Sequence, residues 1–292
     1  MQARLITCAL TLCAWLPLPV LHGLGACLGW AMFLVPGRTQ IIAATNISLC
    51  YPGLSPQRQR SLVRASLVET GKTLSETGAL WLRPGERTLE LIKDVNGQEL
   101  VEQALANGKG VILATPHLGA WEAAGLYCAA RFKITCLYRP PRKFDLDQLV
   151  NKARSRLGGC YIAATTQGIR RLYKTLQRGD AIAMLPDQEP QAGAGIFAPF
   201  FGIPAYSMVL LARLAARPGA PVIFVWCERL SWGRGYRLHF QAKPEVTYPV
   251  NIHAGVTAIN KAVEDCVQQC PAQYQWCYRR FRTRPAGESH IY

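Results

Sequence analysis

The stretch Gly110-Val-Ile-Leu-Ala-Thr-Pro-His-Leu-Gly-Ala-Trp-Glu122 decides the fold. Its first half is an apolar run closed by Pro116, which reads as a buried strand ended by proline. Residues 120–131 are rich in Ala and Leu and read as a helix. His117 and Glu122 then lie at the mouth of a strand–loop–helix turn, where an open α/β sheet puts its chemistry. Imidazole titrates near neutral pH, and a neighbouring carboxylate fixes its tautomer and strengthens it as a base. Such a pair suits removal of a proton from a substrate hydroxyl. The plain alternative is a surface histidine followed by a helix N-terminal glutamate, since this spacing is common by chance.

Outward from that turn the pattern alternates. Strands are expected at 134–138, 161–164 and 181–185, with helices at 146–157 and 167–178 between them. Residues 207–217 read as a helix, 220–229 as a long apolar strand and 236–243 as an edge or antiparallel strand. A last helix is expected over 253–269. Residues 39–83 are mostly helical, with a turn at 46–52 (N-I-S-L-C-Y-P). The fold class is therefore α/β: a mostly parallel mixed sheet flanked by helices. No linker divides it, so residues 38–292 form one catalytic domain preceded by a hydrophobic anchor over 1–37.

That anchor rests on charge. No Asp, Glu, Lys or Arg occurs from residue 5 to 37, longer than the ~20 residues that cross a bilayer. Pro17 and Pro19 break the run, so a spanning helix over 18–35 and a bent interfacial hairpin both fit. Arg38, Arg58, Arg60, Arg64 and Lys72 follow, which favours a cytoplasmic body. The competing expectation is cleavage before Cys27, in Leu24-Gly25-Ala26-Cys27, but the apolar run continues past it. The 292-residue chain carries a formal charge of +15, which implies an anionic partner: a membrane surface, a phosphorylated substrate or nucleic acid. Eleven cysteines lie mostly in apolar runs without C-x-x-C spacing, so they read as small hydrophobes rather than disulfides or zinc ligands.

Other rim candidates follow later strands. Tyr138-Arg139-Pro-Pro-Arg142 succeeds the second strand, Arg154 and Arg156 lie on the next helix, and Pro186-Asp187-Gln188 succeeds the strand at 181–185. Taken singly, each arginine fits a solvated helix face and Asp187 fits a turn or cap. Residues 197–204 read as an apolar Pro/Gly loop, fit to cover the core or to wall an acyl chain. The tail from Tyr278 to Pro285 interleaves Arg279, Arg280, Arg282 and Arg284 with aromatics, a pattern for phosphates, anionic headgroups or nucleic acid.

The ordered set H-x-x-x-W-E, Y-R-P, R-x-R, P-D-Q, the Phe-Phe-Gly loop and the terminal Q-W-x-Y-R-R-F-R-T-R-P resembles the late acyltransferases of lipid A biosynthesis. These are the lauroyl/myristoyl transferases of Gram-negative inner membranes. The resemblance covers nearly the whole chain. It implies a glycerolipid-acyltransferase-like fold and an HX₄(D/E) enzyme that moves an acyl chain from acyl carrier protein to a hydroxyl of a phosphorylated glucosamine lipid. By matching motifs His117 and Glu122 form the dyad, joined by Arg154 and Asp187. Arg139, Arg142 and Gln188 contact substrate. The only donor is the carrier-protein thioester, with no cofactor and no metal. Two positions depart from the family pattern: Ala120, where many members have Asn, and Tyr278, where the closing motif usually opens with His.

The expected chemistry is direct transfer. His117, supported by Glu122, deprotonates the acceptor hydroxyl; Arg154 or backbone N–H groups near Gly119 meet the oxyanion, and Asp187 holds the arginine. The competing classes are an acyltransferase for another membrane lipid, a metal-dependent hydrolase, and a basic membrane-anchored protein binding nucleic acid or anionic lipid. The last explains the charge but not the rim, so no nucleic-acid partner is expected.

Overall fold

The computed structural model describes residues 2–138, 144–216, 220–243, 246 and 251–292. The chain opens with α1 (Gln2–Trp15) and α2 (Leu18–Leu34), separated at Pro17. Next come α3 (Arg38–Cys50) and the long α4 (Pro56–Leu82), which Ser55 caps by accepting the Arg58 N–H. α2 lies along α4 at very close approach. A Cβ on Gly71 would sit 2.0 Å from the Gly25 carbonyl oxygen, and one on Gly29 2.3 Å from Val68 Cα. Glycine at these crossings lets two backbones touch where any side chain would hold them apart.

The α/β body follows: α5 (Gly85–Leu89), β1 (Ile92–Asn96), α6 (Gln98–Ala106), β2 (Val111–Ala114), α7 (Trp121–Arg131), β3 (Ile134–Tyr138), α8 (Phe144–Ser155), β4 (Cys160–Ala163), α9 (Thr166–Gln177) and β5 (Ala181–Met184). After these come β6 (Gly195–Phe200), β7 (Ile203–Met208), α10 (Leu210–Ala215), β8 (Val222–Arg229), β9 (Tyr236–Ala242) and α11 (Ile252–Gln269). Seven strands form one sheet in the order β1-β9-β8-β2-β5-β3-β4. β8, β2, β5, β3 and β4 are parallel; β9 is antiparallel to β8, and β1 runs with β9. The expected mostly parallel mixed sheet is present.

Strand alternation builds a core on each face of the sheet. Val111 and Leu113 of β2 face α6 and α7 with Val101, Ala124 and Leu126. Ile112 and Ala114 face the other way, joining Leu172 and Leu176 of α9, Leu211 of α10 and Ile259 of α11. The segment at 197–204 is a hairpin rather than the expected loop: β6 and β7 pair antiparallel, with Pro199 opposite Pro204. Phe201 and Gly202 make its two-residue turn, both at positive φ. Nor is there a turn at 46–50, because α3 continues to Cys50. Asn46 is buried there and donates to the carbonyls of Trp276 and Tyr278, both at 2.7 Å. The strand expected at 236–243 is antiparallel but interior, since β1 lies outside it.

Among the described residues, no single helix is long and apolar enough to cross a membrane; α2 and α3 pass that test only as a pair bent by 82°. All eleven cysteines are unpaired, and burial raises the Cys136, Cys266 and Cys270 thiols to about 12, so they are not nucleophiles near neutral pH.

Candidate active site

His117 is the third residue beyond β2, and Asp187 the third beyond the adjacent parallel strand β5. The register pairs Ala114 with Met184, so equal offsets bring the two side chains together. His117 Nδ1 lies 2.8 Å from Asp187 Oδ1, and the His117 backbone N–H donates to Oδ2 at 2.9 Å. Asp187 is buried, which pushes its carboxyl upward. The facing imidazole and the hydrogen bonds from residue 117 outweigh this and hold it below the usual range. An ionised Asp187 places the proton on Nδ1 and leaves the Nε2 lone pair free to act as a base. Trp121 packs edge-on against the imidazole, ring centroids 5.3 Å apart.

Glu122 sits on the first turn of α7, which packs against α4 and α8. It therefore meets residues of those helices. Arg154 of α8 grips it with two donors, Nε to Oε2 at 3.0 Å and Nη2 to Oε1. Trp81 Nε1 of α4 donates to Oε2 at 3.1 Å. Burial pushes the Glu122 carboxyl up, but the Arg154 guanidinium and these donors hold it below its ordinary value. The sequence expectation had paired His117 with Glu122 and Asp187 with the arginine. The partners are exchanged: Asp187 orients the imidazole and Glu122 holds Arg154.

The backbone amides expected to meet an oxyanion are already engaged. Leu118 N–H donates to Pro116, Gly119 N–H to Gln273 and Ala120 N–H to Cys227, each at a carbonyl oxygen. Gly119 has φ +61°, and a Cβ there would lie 2.0 Å from the Cys227 oxygen, so no larger residue fits this loop. Of the two arginines expected on one helix, Arg156 lies in the turn just past α8 and serves the fold: it donates to the carbonyls of Leu80, Trp81 and Arg83 and so closes the end of α4. Gln188 donates to Gln275 Oε1 at 3.0 Å. Arg139 and Arg142 lie outside the described residues.

Sequence reasoning missed the C-terminal strap that joins the two rim loops. Gln275 N–H donates to the His117 carbonyl at 3.1 Å, while Tyr278 Oη accepts the Glu189 N–H at 2.9 Å. The buried Glu189 carboxylate accepts Arg282 Nε, Thr283 N–H and Thr283 Oγ1. Arg280 is 3% exposed, donating to the Tyr206 carbonyl and Ser207 Oγ over the Phe200 ring. Arg284 donates to the Pro204 carbonyl and pairs with Glu288. These three arginines of the tail tie down protein groups. Among the described residues, no three His, Cys, Asp or Glu side chains gather as for a metal ion.

Residues 2–283 match the family described as bacterial lipid A biosynthesis acyltransferase. The chain belongs to that family. This lipid A acyltransferase is 29% identical over 281 residues to the lipid A biosynthesis palmitoleoyltransferase of Escherichia coli K12, covering 95% of this chain and 90% of the relative. It is also 29% identical over 278 residues to the lauroyltransferase of that organism, covering 93% and 88%. With the myristoyltransferase it shares 25% over 253 residues, covering 86% and 77%. The two departures noted in the sequence of this lipid A acyltransferase have local consequences. Ala120 is the N-cap of α7 and supplies no side-chain cap, while Tyr278 reaches the Glu189 amide through its hydroxyl.

Proposed function

We propose that this lipid A acyltransferase moves a fatty acyl chain from an acyl-carrier-protein thioester to a hydroxyl of a phosphorylated glucosamine lipid, at the cytoplasmic face of the bacterial inner membrane. The observation that carries the chemistry is the 2.8 Å contact between His117 Nδ1 and the buried Asp187. Nε2 of His117 takes the acceptor hydroxyl proton, and the oxygen attacks the thioester carbonyl. Arg154, fixed by Glu122, balances the oxyanion, the role left to it by the engaged loop amides. Collapse expels the carrier thiolate, which recovers the proton from the imidazolium. No cofactor or metal enters these steps. Arg139 and Arg142, on the segment after β3, are assigned to the acceptor phosphates, and Gln188 to the substrate.

Residues 1–37 are assigned as the membrane-contacting portion and 38–292 as the catalytic portion. Exposed apolar side chains support this: Trp15, Leu24, Leu34 and Val35 are more than half exposed, and Val20, Leu28 and Trp30 nearly half. An α2 lying in the bilayer interface fits a 17-residue helix with one face on α4. The basic excess then meets an acidic carrier protein and an anionic leaflet.

Two measurements test this. Lipid A from a deletion strain, weighed by mass spectrometry, should lack one acyl chain. Purified protein should restore it from acyl carrier protein thioester with chelator present. Unchanged lipid A mass, or transfer that stops with chelator, defeats the proposal.

A further inference from the structure

Trp232 is the most exposed large apolar side chain in the described residues, at 88%, and its backbone is in the left-handed region at φ +62°. Both properties are unfavourable for a tryptophan in water. A bulky residue rarely adopts positive φ, and an indole left in solvent forgoes its burial. Strain of this kind persists where the surrounding structure over-determines it. Here the surroundings are α2. Trp232 sits in the turn Ser231–Gly233 between β8 and β9, and the turn packs on the first residues of α2. A Cβ on Gly233 would lie 2.4 Å from Pro19 Cα, so the turn's backbone is pressed onto the start of that helix.

The position matters because the α1–α2 break is itself apolar and exposed. Trp15, three residues before α2 begins, is 83% exposed, and Val20 is exposed just inside it. A residue more than two hundred positions later in the chain thus joins the apolar surface of the N-terminal hairpin. Charge lies beside it. Arg234 is exposed, its guanidinium held to the turn through the Ser231 carbonyl and hydroxyl, and no ion pair joins it to a carboxylate among the described residues. A cavity of about 440 Å³ opens next to the turn, lined by Ser231, Arg234 and Arg237 and also by the carboxylates Glu69 and Glu228. At the other end of α2, Arg64 lies over Trp30 and Arg60 over Phe33. An aromatic residue beside an exposed arginine that no carboxylate neutralises is the pairing suited to the headgroup level of an anionic bilayer.

We propose that the turn 230–235 is a second membrane-contacting element, in which Trp232 enters the interface of an anionic phospholipid bilayer and Arg234 meets its phosphates. This rests on the membrane assignment of residues 1–37 made above. It also fixes the orientation of the body, because the β8–β9 end of the sheet must face the lipid.

The test uses the full-length protein carrying 5-fluorotryptophan in nanodiscs of phosphatidylethanolamine and phosphatidylglycerol. Trp232→Phe identifies the Trp232 resonance among the seven in the ¹⁹F spectrum. Buried Trp226 and Trp276 serve as internal controls. Nitroxide on the lipid acyl chains should broaden the Trp232 signal, and a soluble gadolinium chelate should leave it sharp. Trp232→Ser should raise the KM for acceptor embedded in the bilayer on the order of tenfold, as expected for losing part of one aromatic's burial, without changing kcat. Protein that stays off the nanodiscs overturns both this proposal and the membrane assignment. Protein that binds while gadolinium, not nitroxide, broadens Trp232 overturns this proposal alone. So does a Trp232 resonance that shifts only on addition of acyl carrier protein, since the turn would then be a protein-docking site.

Discussion

At the residue scale, the exchange of partners around His117 and Glu122 makes separable predictions. Asp187→Asn keeps the side-chain shape but removes the charge that fixes the Nδ1 proton, so kcat should fall by roughly 10³–10⁴ with acceptor KM little changed. His117→Ala should lose at least the ~10²–10⁴ of a general base. A steady-state assay on folded protein checks both, and near wild-type turnover in Asp187→Asn would end the orienting role. A second buried carboxylate gives a pH prediction. Glu76 accepts from Arg229, His22 and Tyr236; burial pushes it up, but Arg229 and His22 outweigh that and hold it at about 2, below the ordinary 4.5. A depressed carboxyl stabilises the fold fully above pH 4.5 and loses that contribution as pH falls through about 2. Glu76→Gln leaves the buried Arg229 with Glu69, at 3.4 Å, as its carboxylate partner and should cost about 3 kcal/mol near neutrality. In urea titrations the gap to wild type should narrow as pH drops below 4.5; a gap that widens there refutes the assignment.

At the element scale, the α2–α4 contact is a matter of missing side chains. Gly71→Ala puts a methyl 2.0 Å from the Gly25 oxygen, so α2 must lift, at a cost of about 1–3 kcal/mol for overpacking. Gly23→Ala, on α2, meets nothing within 4 Å and should be neutral or stabilising by up to ~1 kcal/mol, the helix-propensity gain. Thermal melts in detergent compare them, and equal Tm values would mean that the close crossing does not hold the hairpin. The elements that were legible beforehand are those with apolar runs or strong periodicity: β2, α7, β3, α9, β5, β8 and α11. β1 was not, because Ile92-Lys-Asp-Val-Asn96 carries two charges on a half-buried edge strand. The β6–β7 hairpin was mistaken for a loop because Pro199 and Pro204 read as breakers. Opposed in a two-stranded ribbon, neither needs to donate to a ladder.

At the scale of the whole molecule, the C-terminal tail crosses both rim loops and then packs under the β6–β7 hairpin. Its arginines therefore bear first on stability. Arg280→Ala removes the guanidinium donor to the Tyr206 carbonyl and leaves Ser207 Oγ with Asn260 as its donor, and should cost about 1–3 kcal/mol. Arg282, 62% exposed, shares Glu189 with Thr283, so Arg282→Ala should cost about 1 kcal/mol. The sequence had offered this cluster to phosphates, anionic headgroups or nucleic acid, roles in which its loss would raise the acceptor KM in a salt-dependent way. The contacts predict instead a lowered Tm for Arg280→Ala with a KM for acceptor that stays near wild type. A large, salt-sensitive KM effect with unchanged Tm would return Arg280 to the substrate.

By itself the sequence determined the α/β class, the order of the central strands and helices and the family, and it singled out His117, Glu122, Arg154 and Asp187 as candidates. Those follow from local information, namely apolar runs, periodicity and short motifs, and a rim residue is recognisable from the strand that precedes it. Which rim residues touch was decided only in three dimensions. Asp187 reaches His117 because β5, the third strand after β2, returns past β3 and β4 to pair beside it in the sheet. Glu122 meets Arg154 because α7 turns that side chain toward α8. The strap from Gln273 to Thr283, the capping role of Arg156 and the placement of Trp232 on α2 all join segments tens to hundreds of residues apart. Such contacts are set by packing of whole elements, and no window of sequence carries them.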